Sequence, residues 1–137
     1  MNNNLIIMNG KIMTPVRTIQ GGSIVIEDNK IKHIGPFDEL KDIDRENYQF
    51  VDASDHYVVP GFLDMHLHGG NGFDFMDNSE EEINEILKFH AKKGTTGLVP
   101  TTLTAPMDLI KSVLRKISRV KQNTLSSLDR SRILGAH

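Results

Sequence analysis

The chain has 137 residues, of which 38% are hydrophobic and 25% are charged, a balance typical of a globular protein of about one domain. With a formal charge of −2 it offers no basic surface for nucleic acid or an anionic membrane, and no apolar run approaches the ~20 residues of a membrane span. No cysteine is present, which excludes disulfides, thiolate nucleophiles and cysteine-bound metals, so any metal must be held by His, Asp or Glu.

The amino-terminal segment contains a short apolar run, Leu5–Met8, without a basic stretch before it. We therefore expect no signal peptide and, because cysteine is also absent, a cytoplasmic protein. The run predicts a β-strand that ends at Asn9-Gly10, since Asn and Gly commonly mark turns.

Residues 1–58 as a whole are predicted to be β-rich. Gly21-Gly22 interrupts the chain, and then two β-branched runs, Ser23–Glu27 and Lys30–Ile34, flank the pair Asp28-Asn29. Two such runs around an Asp-Asn pair predict a β-hairpin.

Residues 59–137 follow a different pattern, in which strand-like and helix-like segments alternate. This alternation predicts a parallel sheet whose strands are joined by helical crossovers. In chain order the predicted elements are a strand Phe62–His68, a helix opened by Ser79, a strand Leu98–Thr102, a helix begun by Ala105-Pro106 and a strand Arg132–His137.

Both predicted helices have an apolar face. Ser79, with Glu82 three residues later, has the pattern of a capping box, and Gly94 stands where a helix commonly ends. The positions at helical spacing are Ile83, Ile86, Leu87, His90 and Ala91 in the first helix and Ile110, Val113, Leu114 and Ile117 in the second.

The strand that opens the second part carries the chemistry. Side chains of a strand point alternately to its two faces. The predicted faces are Phe62, Asp64, His66 and His68 on one side and Leu63, Met65 and Leu67 on the other. If the sheet closes into a barrel, the face with Asp64, His66 and His68 would point into its interior. Burying these polar side chains without partners would cost several kcal/mol of folding free energy, and a divalent cation would supply the partner.

His66 and His68 are the predicted metal ligands. Residues two apart on a strand lie roughly 7 Å apart, so both imidazoles can reach one ion at about 2.0–2.1 Å. His68 precedes Gly69-Gly70 and is therefore predicted at the carboxyl end of the strand, where barrel enzymes keep their active sites. The alternative, a pair of ordinary strand histidines, does not account for Asp64 or for the glycines on both sides.

Three further residues are candidates to surround such a metal. Asp64 would lie one layer deeper and orient a ligand imidazole. Thr101 ends the second predicted strand at the same edge, where it would hydrogen-bond a substrate or simply be a β-branched strand end. His137 ends the third predicted strand on the face of Ile133 and Gly135, which would direct it toward the metal; the alternative is that a lone His there has no chemical role.

The loop Gly69–Gly72 lacks the spacing of a phosphate-binding loop and is predicted to be a flexible turn. Asp74 and Asp77 are interpreted as loop residues near the following helix, with metal or substrate binding as the alternative. The remaining histidines, interpreted as surface or helix-packing residues, are His33, His56 and His90.

Four segments carry a resemblance to a known family. Pro60–Gly69 resembles the first-strand signature of the amidohydrolase superfamily. Gly69–Asp77 and Lys93–Thr101 resemble the N-acetylglucosamine-6-phosphate deacetylases in particular, and Ile133–His137 resembles the start of the third-strand motif of that family. The likeness extends over essentially the whole chain.

The resemblance implies an α/β fold, namely a TIM-type (β/α)₈ barrel with a small β-sandwich built from both chain ends. Residues 1–58 are then expected to be the amino-terminal part of the β-sandwich domain. Residues 59–137 are expected to be the first three strands and two helices of the metal-dependent hydrolase barrel, which stays incomplete because three strands cannot close a barrel of eight.

The resemblance also implies an activity, the hydrolysis of the acetamide of N-acetylglucosamine 6-phosphate to glucosamine 6-phosphate and acetate. It implies one or two divalent metal ions, Zn or Fe, with His66 and His68 matching the His-x-His pair of the family. It further implies a small-molecule amino-sugar phosphate as the substrate and a homodimer as the assembly of the full-length enzyme.

The other functional residues of the family lie after the position of His137. The resemblance implies that they are a glutamate ligand, later histidine ligands, an aspartate acid/base and the phosphate-contacting residues, so no catalytic residue is assigned within the chain. We expect an inactive fragment of a longer parent enzyme. The alternatives are a fragment of another amidohydrolase, acting on a cyclic amide or a purine, and a non-catalytic remnant.

Overall fold

A computed structural model describes residues 4–39, 44–76, 79–123 and 127–137. The chain divides into two compact units, Met1–Pro60 and Gly61–His137. The strands are β1 Leu5–Met13, β2 Thr18–Glu27, β3 Lys30–Pro36, β4 Gln49–Asp52, β5 Tyr57–Val58, β6 Phe62–Leu67, β7 Gly69–Gly70, β8 Phe73–Asp74, β9 Thr95–Pro100 and β10 Arg132–Ile133, and the α-helices are α1 Glu80–Ala91 and α2 Met107–Asn123.

The first unit is a sheet with the strand order β3-β2-β1-β4, and β5 also pairs with β1. The neighbours β1, β2 and β3 run antiparallel, whereas β4 and β5 lie parallel to β1. Asp28 and Asn29, which join β2 to β3, have φ angles of 49° and 59°. Positive φ at both central residues is typical of a type I′ turn, so the predicted hairpin is confirmed.

The predicted end of the first strand at Asn9-Gly10 is wrong. Strand β1 continues to Met13, and its pairing with β2 shifts register between Ile7 and Gly10. Asn9 adopts a φ of 63°, a conformation that Asn tolerates better than most residues. The pair therefore forms an irregularity within a strand, and the predicted break at Gly21-Gly22 likewise lies inside β2.

The second unit is a parallel sheet with the strand order β10-β9-β6. Helix α1 connects β6 to β9 and helix α2 connects β9 to β10, which confirms the predicted alternation. Strand β9 begins and ends earlier than predicted. Regular pairing in β10 stops at Ile133, although the backbone N–H of His137 still donates to the carbonyl of Pro100 at 2.9 Å.

Both helices cover one face of this sheet. Ser79 caps α1 through the predicted capping box, with its side chain accepting from the N–H of Glu82 and the Glu82 carboxylate accepting from the N–H of Ser79. The core that the helices and strands share consists of Leu67, Phe75, Met76, Ile83, Ile86, Leu87, Leu98, Val113, Ile117, Val120 and Ile133.

The apolar face of α2 differs from the prediction at two residues. Leu114 is 38% exposed, and Val120 lies in the core instead. The predicted apolar face of the second helix ended at Ile117, whereas α2 continues to Asn123 and buries one further turn.

The predicted alternation along β6 is also wrong in part. The pairing of β6 with β9 shifts register between Asp64 and Leu67. Leu67 is in the core, but Leu63 lies with Leu134 against Gly97, on the opposite face of the sheet. An extra residue inside the strand reverses the faces of the side chains that precede it.

No described helix is long and apolar enough to span a membrane.

Candidate metal centre

Three histidines lie together at the carboxyl end of the parallel sheet. His66 is in β6, His68 follows β6 directly, and His137 lies beyond β10. The ring centres of His66 and His68 are 5.1 Å apart, and those of His66 and His137 are 5.2 Å apart. The sheet thus brings together the two predicted ligands and the predicted third histidine.

His68 is fixed by the end of the neighbouring strand. Its Nδ1 lies 3.0 Å from the carbonyl oxygen of Thr101, and the N–H of Thr101 donates to the carbonyl of Leu67 at 2.8 Å. A carbonyl can only accept, so in the neutral ring Nδ1 carries the proton and Nε2 keeps its lone pair. This arrangement turns Nε2 into a potential metal donor.

Thr101 contacts the site through its main chain. Its side chain is 2% exposed, and the hydroxyl donates to the carbonyl of Val99 at 3.2 Å. The hydroxyl therefore already has a partner in the main chain of its own strand. The sequence singled out Thr101, but no side-chain pattern could predict that its backbone carbonyl accepts a hydrogen bond from His68.

Asp64 is hydrogen-bonded to the backbone of its own strand. Its Oδ1 accepts a hydrogen bond from the backbone N–H of His66 at 3.2 Å, and no hydrogen bond joins it to a histidine ring within the described residues. The carboxylate thus braces the backbone of the strand at the register shift, where regular pairing with β9 is interrupted.

The glycine loop contains the predicted turn, which joins the two short strands of a hairpin. Strands β7 and β8 pair through Gly69 and Asp74, and the turn residues Asn71 and Gly72 both have positive φ angles, 56° and 84°. A Cβ on Gly69 would lie 2.0 Å from the carbonyl oxygen of Phe73, so only glycine fits there. The hairpin therefore holds the chain tightly as it leaves His68.

Asp74 has a local partner, since its Oδ1 accepts from the N–H of Met76 at 2.7 Å. It lies in the short strand β8 rather than in a loop, and Asp77 lies outside the described residues.

The remaining histidines lie away from this cluster in the chain. His90 on α1 packs behind the hairpin, with Nε2 3.1 Å from the carbonyl of Gly69, a supporting contact that sequence reasoning did not find. In the first unit, His33 faces Glu39 at 3.6 Å, and Nδ1 of His56 lies 2.7 Å from the carbonyl of Ser54.

The donor set fits a divalent transition metal, because imidazole nitrogens suit Zn, Fe and similar ions. Within residues 4–39, 44–76, 79–123 and 127–137, no group of three or more His, Asp or Glu side chains could hold a metal ion. The three histidines supply donors of the right type, but among the described residues they do not form a metal site by themselves.

Known proteins resemble the chain in sequence. It is 29% identical to the N-acetylglucosamine-6-phosphate deacetylase of Bacillus subtilis over 137 residues, which is 100% of this chain and 34% of that enzyme. It is also 42% identical to the imidazolonepropionase of Clostridium tetani over 60 residues, 43% of this chain and 14% of that enzyme. No profile of a protein family matches the chain.

Solved structures of the same deacetylases resemble the chain in fold. The crystal structure of N-acetylglucosamine-6-phosphate deacetylase from Pasteurella multocida superposes with a TM-score of 0.76 and 25% identity, over 92% of this chain and 32% of that one. The chain therefore resembles these deacetylases in sequence and in fold, and it spans about a third of the length of the deacetylases it matches end to end.

Proposed function

We propose that this chain is the amino-terminal part of an N-acetylglucosamine-6-phosphate deacetylase, which hydrolyses the acetamide of its substrate to glucosamine 6-phosphate and acetate. The observation that carries the proposal is the likeness to such enzymes along the whole chain in sequence and over 92% of it in fold. The histidine cluster lies at the edge of the sheet where the chemistry of a parallel α/β barrel takes place.

The proposed metal ligands are His66 and His68. A divalent ion, Zn or Fe, would lower the pKa of a water molecule toward ~7 and polarise the amide carbonyl. The lone pair of Nε2 on His68 is directed by the Thr101 carbonyl on the other side of the ring, so the tautomer needed for binding is already set.

The other residues around the cluster have positioning roles. Asp64 steadies the backbone of His66 through a single hydrogen bond, and His90 holds the hairpin that follows His68. Both side chains are engaged with the backbone, so we assign neither of them to proton transfer. The acid/base and the groups that bind the substrate phosphate would come from residues beyond these 137, as would the remaining metal ligands.

For the architecture, we propose that β6, β9 and β10 are the first three strands of a TIM-type barrel, within residues 59–137. Residues 1–58 would contribute their sheet to a small β-sandwich domain. The open edges of the three-stranded sheet support this assignment, because an open edge of a barrel sheet needs a neighbouring strand. The whole enzyme would be a cytoplasmic homodimer.

A second candidate function is the hydrolysis of a cyclic amide. The 42% identity to an imidazolonepropionase over 60 residues favours it, and the same metal chemistry would serve that reaction. The match covers less than half of this chain, whereas the deacetylase match covers all of it.

The test begins with the coding DNA beyond the codon for His137. The protein encoded by the whole reading frame is then offered N-acetylglucosamine 6-phosphate, its galactosamine isomer and a cyclic amide, each with added zinc or iron. Acetate release from the glucosamine compound at the highest kcat/KM supports the proposal. A preference for the cyclic amide, or a stop codon directly after His137 with no activity, would overturn it.

A further inference from the structure

We propose that Asn71 is a modification site, at which the folded chain spontaneously converts the side-chain amide to aspartate or isoaspartate. The chain contains two Asn-Gly pairs, Asn9-Gly10 and Asn71-Gly72. Asparagine followed by glycine favours this deamidation, because glycine has no Cβ to hinder its own backbone nitrogen as that nitrogen attacks. The two pairs have different surroundings in the structure, and those of the second pair leave it open to the reaction.

The reaction consumes one water molecule and needs no metal or cofactor. The backbone nitrogen of Gly72 gives up its proton to solvent and forms a bond to Cγ of Asn71. The bond between Cγ and Nδ2 breaks, and the amide nitrogen takes up a proton and leaves as ammonia. Water then opens the resulting succinimide ring at either of its two carbonyl carbons. One opening gives aspartate, the other gives isoaspartate, and no atom is oxidised or reduced.

Asn71 and Gly72 form the exposed turn of the β7–β8 hairpin. They lie between the paired residues Gly70 and Phe73 and have φ angles of 56° and 84°. Both are exposed, and a Cβ built on Gly72 would meet nothing within 4 Å. Among the described residues, neither the side chain of Asn71 nor the N–H of Gly72 has a hydrogen-bond partner. The carbon and the nitrogen that must join are therefore both in contact with solvent and unrestrained by neighbours.

Asn9 and Gly10 are held inside strand β1. The Asn9 side chain is exposed, but its Nδ2 donates to Oδ1 of Asp52 at 2.9 Å. Gly10 is buried, and a Cβ built on it would lie 2.5 Å from Cγ2 of Val58. Asn9 has a φ of 63°, close to that of Asn71, so this backbone angle does not distinguish the two pairs. Ring closure at Asn9 instead requires local opening of the strand.

Deamidation would change the hairpin that follows His68. Either product replaces a neutral amide with a carboxylate, so the turn gains one negative charge. Isoaspartate also carries an additional methylene into the backbone, within a loop whose two residues determine the register of the strands that they join. We therefore expect isoaspartate to weaken the pairing of Gly69 with Asp74.

The test incubates the 137-residue chain in mildly alkaline buffer and follows both Asn-Gly pairs by peptide mass spectrometry. Fragment ions locate the mass gain that accompanies the change from amide to acid, and circular dichroism checks that the chain stays folded. The same chain in concentrated urea is the reference state in which neither pair is protected. Asn71→Gln is the control variant, because glutamine would have to close a larger ring and reacts much more slowly.

We expect Asn71 to deamidate about 10-fold or more faster than Asn9 in the folded chain, since the reaction at Asn9 must wait for β1 to open. In urea the two rates should agree within about threefold, because the surrounding structure is lost. Asn71→Gln should abolish the reaction at that position and leave the rate at Asn9 unchanged. A folded chain in which Asn71 reacts no faster than Asn9, or stays intact while the urea-unfolded chain reacts, would overturn the proposal. Neither result bears on the proposed deacetylase activity, because no metal or substrate takes part.

Discussion

The ring of His68 and the carbonyl of Thr101 are joined by a hydrogen bond of 3.0 Å between Nδ1 and the oxygen. The two residues are far apart in the chain and meet because β6 and β9 are neighbours in the parallel sheet. The contact determines which nitrogen of a proposed ligand is available, and so it links the strand pairing to the chemistry of the site.

The first prediction concerns the tautomer of His68. Because a carbonyl accepts from Nδ1, neutral His68 should carry its proton on Nδ1 in the metal-free chain. Long-range ¹H–¹⁵N correlation spectra of the histidine rings measure this directly, with the His68→Ala spectrum giving the assignment. A signal pattern with the proton on Nε2 would contradict the proposed orientation of the ligand.

The second prediction concerns the hairpin that follows His68. Gly69→Ala would place a methyl group 2.0 Å from a backbone oxygen, and overpacking of this kind costs about 1–3 kcal/mol or more in the free energy of unfolding. Gly135→Ala is the matched control, because its added Cβ would meet nothing within 4 Å. Urea unfolding of both variants checks this, and equal stabilities would show that the hairpin yields freely.

The third prediction concerns the start of α1. Ser79→Ala removes the capping hydrogen bond to Glu82 and should lower the free energy of unfolding by about 1 kcal/mol. Ser118→Ala, at an exposed position inside α2, should instead be neutral or slightly stabilising, since Ala has the higher helix propensity. Thermal melts followed by circular dichroism compare the two, and an unchanged melting temperature for Ser79→Ala would argue against the cap.

The fourth prediction concerns the core between helices and sheet. Leu87 is fully buried, so Leu87→Ala should cost about 2–5 kcal/mol of unfolding free energy. Leu128 is 96% exposed, and Leu128→Ala should change that free energy by less than about 0.5 kcal/mol. Similar denaturant midpoints for the two variants would contradict a packed core around Leu87.

The local features of the fold could be predicted from the sequence. The capping box at Ser79 and the hairpin at Asp28-Asn29 each depend on a few neighbouring residues whose side chains or φ angles determine the structure. The alternation of strands and helices after Pro60 was predictable for the same reason, because each segment has its own hydrophobic period.

Features that depend on strand pairing could not be predicted. The irregularities at Asn9 and between Asp64 and Leu67 arise from the register that each strand adopts with its neighbour, and nothing local encodes that register. The same limit applies to the site. The histidines could be identified from their residue types. The hydrogen bond of the His68 ring to the Thr101 carbonyl forms only because β9 lies beside β6, so it could not be predicted.

The most direct test of the central proposal is the release of acetate from N-acetylglucosamine 6-phosphate by the protein of the whole reading frame. We expect release that stops after treatment with a chelator, returns with zinc or iron, and falls at least about 100-fold in His68→Ala. The isolated 137-residue chain should release none. Release that persists unchanged after complete metal removal, or no release from the metal-loaded protein, would contradict the assignment of this chain to a metal-dependent deacetylase.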